Sequence, residues 1–426
     1  MFLAIDLGST FFKTALFDTA LNPIARGKGA LQYVYGTAGE IEIEPGVVTT
    51  ALTAAIRETL SAPGVTPSQI KAVAITSQAQ TFAVAAPDGR IRTSFISWQD
   101  ARANATAAAM SGEPVFADFS AHGSFGGILG ALMVAILRHQ QTAIPGWVSA
   151  DDCLVPLPSE AFRMLTGELA LDRNLAAMSG LYSMASGTWH APYLAACGVT
   201  PAQLPRLVET GAVAGTTVAG NAFGLPAGLP VLFAGNDQTA GAYGAEVEKS
   251  GAVLITLGTA QVAYCTDASV PQPQAELIRG PYPGGGGYRL VADGVGGGIV
   301  TWAAEALGTD YDGFFRLVAE ADAECHGVVF EPDLPSGRGG WSKVGMAATR
   351  ADLARAVIAG LCRRLVKMLG NLGSPVCGRP VCVAGGGSAR PEWVGMLGAM
   401  LGTTPVPVTA DPLLGAARMA KNARAR

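Results

Sequence analysis

The chain lacks the charge signature of a polyanion binder: 29 Lys and Arg against 33 Asp and Glu leave a net charge of −4, which argues against nucleic acid or an anionic membrane as partner. It also lacks a cysteine framework. Cys153, Cys197, Cys265, Cys325, Cys362, Cys377 and Cys382 are odd in number and scattered, with no close Cys/His cluster of zinc-ligand spacing. Reduced thiols in a cytoplasmic protein are expected. Long apolar runs are missing too. The longest inside the chain, residues 128–137, falls well short of the roughly twenty that span a bilayer. The opening stretch is read as no secretory leader, because no basic segment precedes it and Asp6 interrupts its apolar run. Two familiar phosphate signatures are absent as well. No Gly-Lys-Ser/Thr follows a strand, and a strand rather than a helix follows Gly8. Phosphate binding itself stays open, since backbone N–H groups and a magnesium ion can hold phosphate without a basic surface.

What is present is an apolar, glycine-rich chain of 426 residues, 49% hydrophobic with 55 glycines. That size fits two or three domains of a soluble enzyme. Strands are expected at 2–5, 10–17, 72–76, 229–234, 253–266 (a strand, turn and strand), 288–292 and 380–384. Helices are expected at 47–60, 101–110, 126–140, 159–166, 239–245, 299–307 and 350–372. The alternation argues α/β. One layout recurs. An apolar strand ends in Leu7-Gly8-Ser9-Thr10 and turns back; half a chain later another ends in Leu257-Gly258-Thr259 and turns back. This reads as two related halves, 1–245 and 246–426.

A glycine at such a turn lets a ligand approach the backbone. Two turns of N–H and hydroxyl donors could grip a polyphosphate. Asp6, at the end of its strand, suits the hydration shell of Mg2+, which prefers oxygen ligands and keeps several waters. Taken alone, one such hairpin is equally an ordinary turn with Asp6 capping it. The doubled hairpin and the Gly385-Gly386-Gly387-Ser388 turn after a third strand favour phosphate. Gly284-Gly285-Gly286-Gly287, between Pro283 and Tyr288, reads as a flexible loop.

Several motifs, in order, resemble the FGGY family of carbohydrate kinases within the actin/hexokinase/heat-shock ATPase superfamily. They are Ile5-Asp6-Leu7-Gly8-Ser9-Thr10 with Lys13, Trp98-Gln-Asp100-Ala-Arg102, and Leu165-Thr-Gly-Glu168 with Asp172. Gly235-Asn236-Asp237-Gln238, Leu257-Gly258-Thr259, Gly385 to Ser388 and Leu414-Gly-Ala-Ala417 complete the set. The resemblance implies two ribonuclease-H-like domains of the actin-like ATPase type with a cleft between them, the sugar held mainly by 1–245 and ATP mainly by 246–426. It implies Asp237 as catalytic base and Asp6 as the water-mediated Mg2+ anchor. Gly8, Ser9, Thr10, Lys13, Gly258, Thr259, Gly298, Thr301, Gly386, Gly387 and Ser388 would contact ATP. Gln78, Gln80, Trp98, Asp100, Arg102, Asn236, Asp237 and Gln238 would face the sugar.

Each position also has a purely structural reading: Asp237 as an N-cap for the helix that follows, Trp98 as a core aromatic, Arg102 as a partner of Asp100. His122 and His190 match no ligand motif. The chain also departs from the family pattern. Gln78-Ala79-Gln80-Thr81 stands where xylulose-type members carry Gln-Met-His-Gly and glycerol-type members Gln-Arg-Glu, so neither substrate transfers. Ala359 stands where many members have Glu, and the chain is shorter than many relatives. The expected activity is phosphorylation of a terminal hydroxyl of a small sugar or polyol, a ketose or sugar alcohol, by ATP and Mg2+. The rival is a non-catalytic nucleotide- or sugar-binding sensor of the same fold. A homodimer is left open.

Overall fold

A computed structural model describes residues 1–373, 376 and 378–425; Cys377 therefore lies outside the described residues. The six remaining cysteines are free thiols. The chain divides into two compact units. The first comprises Met1–Ala245, Asp267–Tyr288 and Asp411–Arg426; the second comprises Glu246–Thr266 and Arg289–Ala410. The first unit's longest segment ends at Ala245, and the residues after it are not one piece. Two of their segments return to the first unit, which strand-and-helix patterning cannot reveal.

The first unit is built on a six-stranded sheet in the order Val213–Thr216, Pro230–Asn236, Ala72–Ser77, Phe2–Leu7, Phe11–Phe17, Pro23–Ala30. Phe2–Leu7 and Pro230–Asn236 both run parallel to Ala72–Ser77, while Phe11–Phe17 returns antiparallel with Asp6 opposite Lys13. Alternation along the strands sorts side chains onto two faces. Leu3, Ile5 and Leu7 pack with Val48, Leu52 and Ile56 of the helix Pro45–Leu60 and with Phe162 and Leu165 of the helix Leu157–Thr166. Phe2, Ala4, Ala15, Ala72, Ala74 and Ala234 face Ala240 of the helix Asp237–Gly244 and Leu413, Ala416 and Ala420 of the helix Pro412–Ala425. Asp6 continues the second face by parity.

That face is lined with alanine because two helices must lie close to it and to each other. A Cβ on Gly415 would stand 1.7 Å from the Ala240 carbonyl oxygen, so any side chain there forces the helices apart. Overpacking of this kind costs about 1–3 kcal/mol. The Leu414–Ala417 segment, which by resemblance closes the adenosine motif, here buttresses the helix that begins at Asp237.

In the second unit the strands lie in the order Gly287–Asp293, Gln261–Asp267, Val253–Leu257, Val381–Ala384, Val406–Pro407. Val253–Leu257 is antiparallel to Gln261–Asp267 and parallel to Val381–Ala384, with Thr256 opposite Ala384. The long helix is Arg350–Leu369, started by a capping box in which Thr349 and Asp352 satisfy each other's backbone N–H groups.

Two expected helices begin late. Residues 126–140 yield a helix only from Met133 to Ala143; Gly126, Gly127 and Gly130 disfavour helix before it. Residues 101–110 yield Asn104–Met110, because Arg102 is held by Asp100 in the preceding turn. No helix among the described residues is long and apolar enough to cross a membrane.

Candidate active site

The strand Pro230–Asn236 runs straight into the helix Asp237–Gly244. The helix needs an acceptor for its first N–H groups. Asn236, not Asp237, supplies it: its Oδ1 accepts from Thr239 N at 2.9 Å. The cap role weighed for Asp237 is thereby taken by its neighbour. The Asp237 carboxylate accepts from the adjacent Gln238 N–H, at 2.8 Å, and the residue is partly exposed.

Asn236 is itself held by Asn174, which sequence reading missed. Asn174 is fully buried. Its Oδ1 accepts from Asn236 N (2.9 Å) and Asn236 Nδ2 (2.8 Å), and its Nδ2 donates to Thr239 Oγ1 (3.1 Å) and the Pro281 carbonyl (2.9 Å). It sits in the helix Arg173–Met178, capped by Asp172, to which Thr210 also donates. The motif ending at Asp172 therefore works through Asn174, two residues on. The signal was present only as an asparagine inside an apolar helical stretch.

Asp6 shares a sheet face with this helix. It is 5% exposed, and its Oδ1 finds no hydrogen-bond partner among the described residues. Burial, then the nearby Asp237 charge, pushes its pKa up to about 7, against the pull of Lys13. Burial also raises the pKa of Asp237, which Lys13 again opposes. A buried carboxylate oxygen without a partner is costly unless something compensates it. An oxygen-seeking cation fits that donor.

The residues expected around the sugar divide in two. Trp98 is 41% exposed, so it is no core aromatic; its backbone N–H is fixed by Thr81 Oγ1. Gln238 is partly exposed beside Asp237. The others are engaged within the protein. Asp100 is 1% exposed and accepts from Ile41 N (2.7 Å) and from the Arg102 guanidinium, which also reaches Glu42 (2.6 Å). Gln80 donates to the Met178 carbonyl and accepts from Met133 N. Asn236 is consumed as described. In this structure these three side chains and Arg102 are hydrogen-bonded within the protein. Gln78 is buried and donates weakly to the Gly8 carbonyl, at 3.4 Å. His122 and His190 stack with centroids 4.2 Å apart, and His122 bonds Ser183 and Asp118.

In the second unit the expected nucleotide residues converge on one strand end. The Gly258 and Thr259 carbonyls accept from Gly297 N (2.8 Å) and Gly298 N (3.4 Å) at the start of the helix Gly297–Ala306. A Cβ on Gly297 would stand 2.8 Å from the Gly258 oxygen. Gly385, at φ +84°, lies where a Cβ would meet the Leu257 oxygen at 2.7 Å. Gly386 is exposed, Gly387 is buried against Leu257 and Trp393, and the Ser388 hydroxyl is tied to the Gly385 carbonyl at 2.7 Å. Thr259, Gly298 and Thr301 are exposed. The result is a shelf of backbone and short hydroxyls open to a ligand. Gly296 and Gly297, which are not among the expected ATP contacts, are what let the helix meet the turn.

The chain is similar to known proteins along much of its length. The profile described as "FGGY family of carbohydrate kinases, N-terminal domain" matches residues 1–244. An L-fuculokinase of Salmonella typhi is 28% identical over 265 residues, covering 58% of this chain and 55% of that protein. The chain spans about half the length of the L-fuculokinases it matches. A glycerol kinase of Allorhizobium ampelinum is 25% identical over 385 residues, covering 84% of this chain and 76% of that protein. Among solved structures, a xylulose kinase from Rhodospirillum rubrum superposes with a TM-score of 0.89 at 22% identity, covering 98% of this chain and 88% of that one. The last likeness gives the fold, of the actin-like ATPase type expected from the motifs. The chain belongs to the FGGY family of carbohydrate kinases.

Proposed function

We propose that this protein is a kinase that transfers the γ-phosphoryl group of ATP to a terminal hydroxyl of a small sugar or polyol, a ketose or sugar alcohol. The observation that carries the reading is the pair in the first unit: Asp237, relieved of capping by Asn236, on the same sheet face as the partnerless oxygen of Asp6. Phosphoryl transfer asks a protein chiefly for positioning and charge neutralisation. Asp237 orients the acceptor hydroxyl and takes its proton as oxygen bonds to phosphorus and the bond to ADP breaks. Its raised pKa makes the carboxyl a better proton acceptor than an exposed aspartate. Asp6 would hold Mg2+ through water; when bound, the ion offsets charge on the phosphates. Lys13, opposite Asp6 in the sheet, adds a cation there.

Gly8, Ser9 and Thr10 would contact phosphate. Gly258, Thr259, Gly298, Thr301, Gly386, Gly387 and Ser388 would hold the nucleotide. Trp98 and Gln238 would contact the sugar. Relatives named L-fuculokinase, glycerol kinase, apulose kinase and xylulose kinase support a small sugar or polyol as acceptor without choosing within that class. We infer a cytoplasmic location, the compartment in which ATP is supplied.

The test is ADP release across pentuloses, heptuloses, tetritols and pentitols with ATP and Mg2+. Turnover on at least one acceptor is expected. Silence across the panel, together with sugar-induced thermal shifts, would mark a sensor instead.

A further inference from the structure

The first hairpin turn has an arrangement that its motif does not contain. Four successive carbonyls, Leu7 to Thr10, all accept hydrogen bonds from the protein. Leu7 O accepts from Gln78 N (3.0 Å), Gly8 O from Gln78 Nε2 (3.4 Å), Ser9 O from the Tyr33 hydroxyl (2.5 Å) and Thr10 O from Leu31 N (3.1 Å). The N–H groups of Gly8, Ser9 and Thr10 donate to no protein acceptor among the described residues. A peptide unit whose oxygen is fixed on one side carries its N–H on the other. Holding the oxygens inward therefore turns the N–H groups outward, the disposition that makes a backbone turn bind anions.

We propose that Tyr33 and Gln78 are positioning residues that set the first turn for phosphate, and that Gln78 acts there rather than as a sugar ligand. This rests on the kinase reading for its substrate. Two of the four anchors are side chains, so they are the ones mutation can remove without breaking a strand. Tyr33 is partly buried, and its hydroxyl lies beside Ser97 as well as Gln78. Ser97 directly precedes Trp98, the exposed aromatic expected to face the sugar. The phenol thus lies near the sugar-facing loop while bonding the phosphate turn, within one unit. Burial raises its pKa, so it remains a donor throughout the working range.

The experiment compares Tyr33→Phe and Gln78→Met with wild type for kcat, KM for ATP, KM for the acceptor, and calorimetric Kd for MgADP. Loss of one such hydrogen bond corresponds to about a 5- to 10-fold change. The expected result is a fall in kcat/KM for ATP of about that size in both variants, MgADP bound more weakly, acceptor KM within twofold and melting temperature nearly unchanged. A rise confined to acceptor KM in Gln78→Met, or MgADP affinity within twofold of wild type in both variants, would overturn the proposal. If no acceptor supports turnover in wild type, the kinase reading fails on its own. The MgADP titrations still decide this one: weaker binding in both variants supports it and unchanged binding refutes it.

Discussion

The two hairpin turns share a sequence layout and are held in different ways. In the first unit, side chains from Gln78 and Tyr33 secure the carbonyls of Gly8 and Ser9. In the second, the backbone of a helix start secures the carbonyls of Gly258 and Thr259, and the approach is possible only because Gly296 and Gly297 carry no Cβ. Backbone anchoring leaves its mark as glycine; side-chain anchoring leaves none at the turn it serves. The first turn also sits with two carboxyls, the buried Asp6 and the partly exposed Asp237, whereas the second is framed by glycine, threonine and serine.

The largest expected effect tests the charged side of that contrast. Asp237→Asn should lower kcat by about 10³-fold or more, within the upper range for a lost general base, while MgADP binding and melting temperature stay close to wild type; single-turnover kinetics and calorimetry check both. Next comes the glycine anchor. Gly297→Ala should weaken MgADP binding by about tenfold or more and destabilise the protein by about 1–3 kcal/mol, read by calorimetry and urea denaturation. A wild-type affinity would mean the helix start is not needed to hold the second turn.

A smaller effect separates the units by pH. Asp6 has a folded pKa near 7 against about 3.9 unfolded. Between those values the unfolded chain has already lost this proton and the folded chain has not. Stability in chelator should therefore fall as pH rises from about 4 to about 7, by at most about 1.4 kcal/mol per pH unit for the single group. The slope should flatten above 7, and Asp6→Asn should reduce it. Melting curves at several pH values check this. Smallest of all is Ser388→Ala. Its hydroxyl is already spent on the Gly385 carbonyl, and a change in ATP KM of about twofold is expected from initial rates.

The sequence carried much of this where chemistry and periodicity coincide. The strand ending in Asp6, the paired hairpins and the strand feeding Gly235–Gln238 were legible because alternating apolar residues end at polar ones. Asp237 was legible as a carboxylate at a strand end. What stayed hidden depends on contacts distant in sequence. Nothing near Asn174 announces that its amide reaches the loop some sixty residues later. Nothing in Trp98–Arg102 tells that Asp100 is claimed by Ile41 and Arg102. The return of Asp267–Tyr288 and Asp411–Arg426 to the first unit is likewise a tertiary fact.

The close crossing at Gly415 has a consequence for biogenesis. The helix Pro412–Ala425 fills the alanine-lined face beneath Phe2–Leu7 and Ala72–Ser77, yet it is translated after every other part of that unit. A nascent chain emerging from the ribosome must hold some four hundred residues with this greasy face bare. Synthesis that stalls before Gly415 should leave a species recognised by chaperones or proteases, even though all the aspartates of the site have already been made.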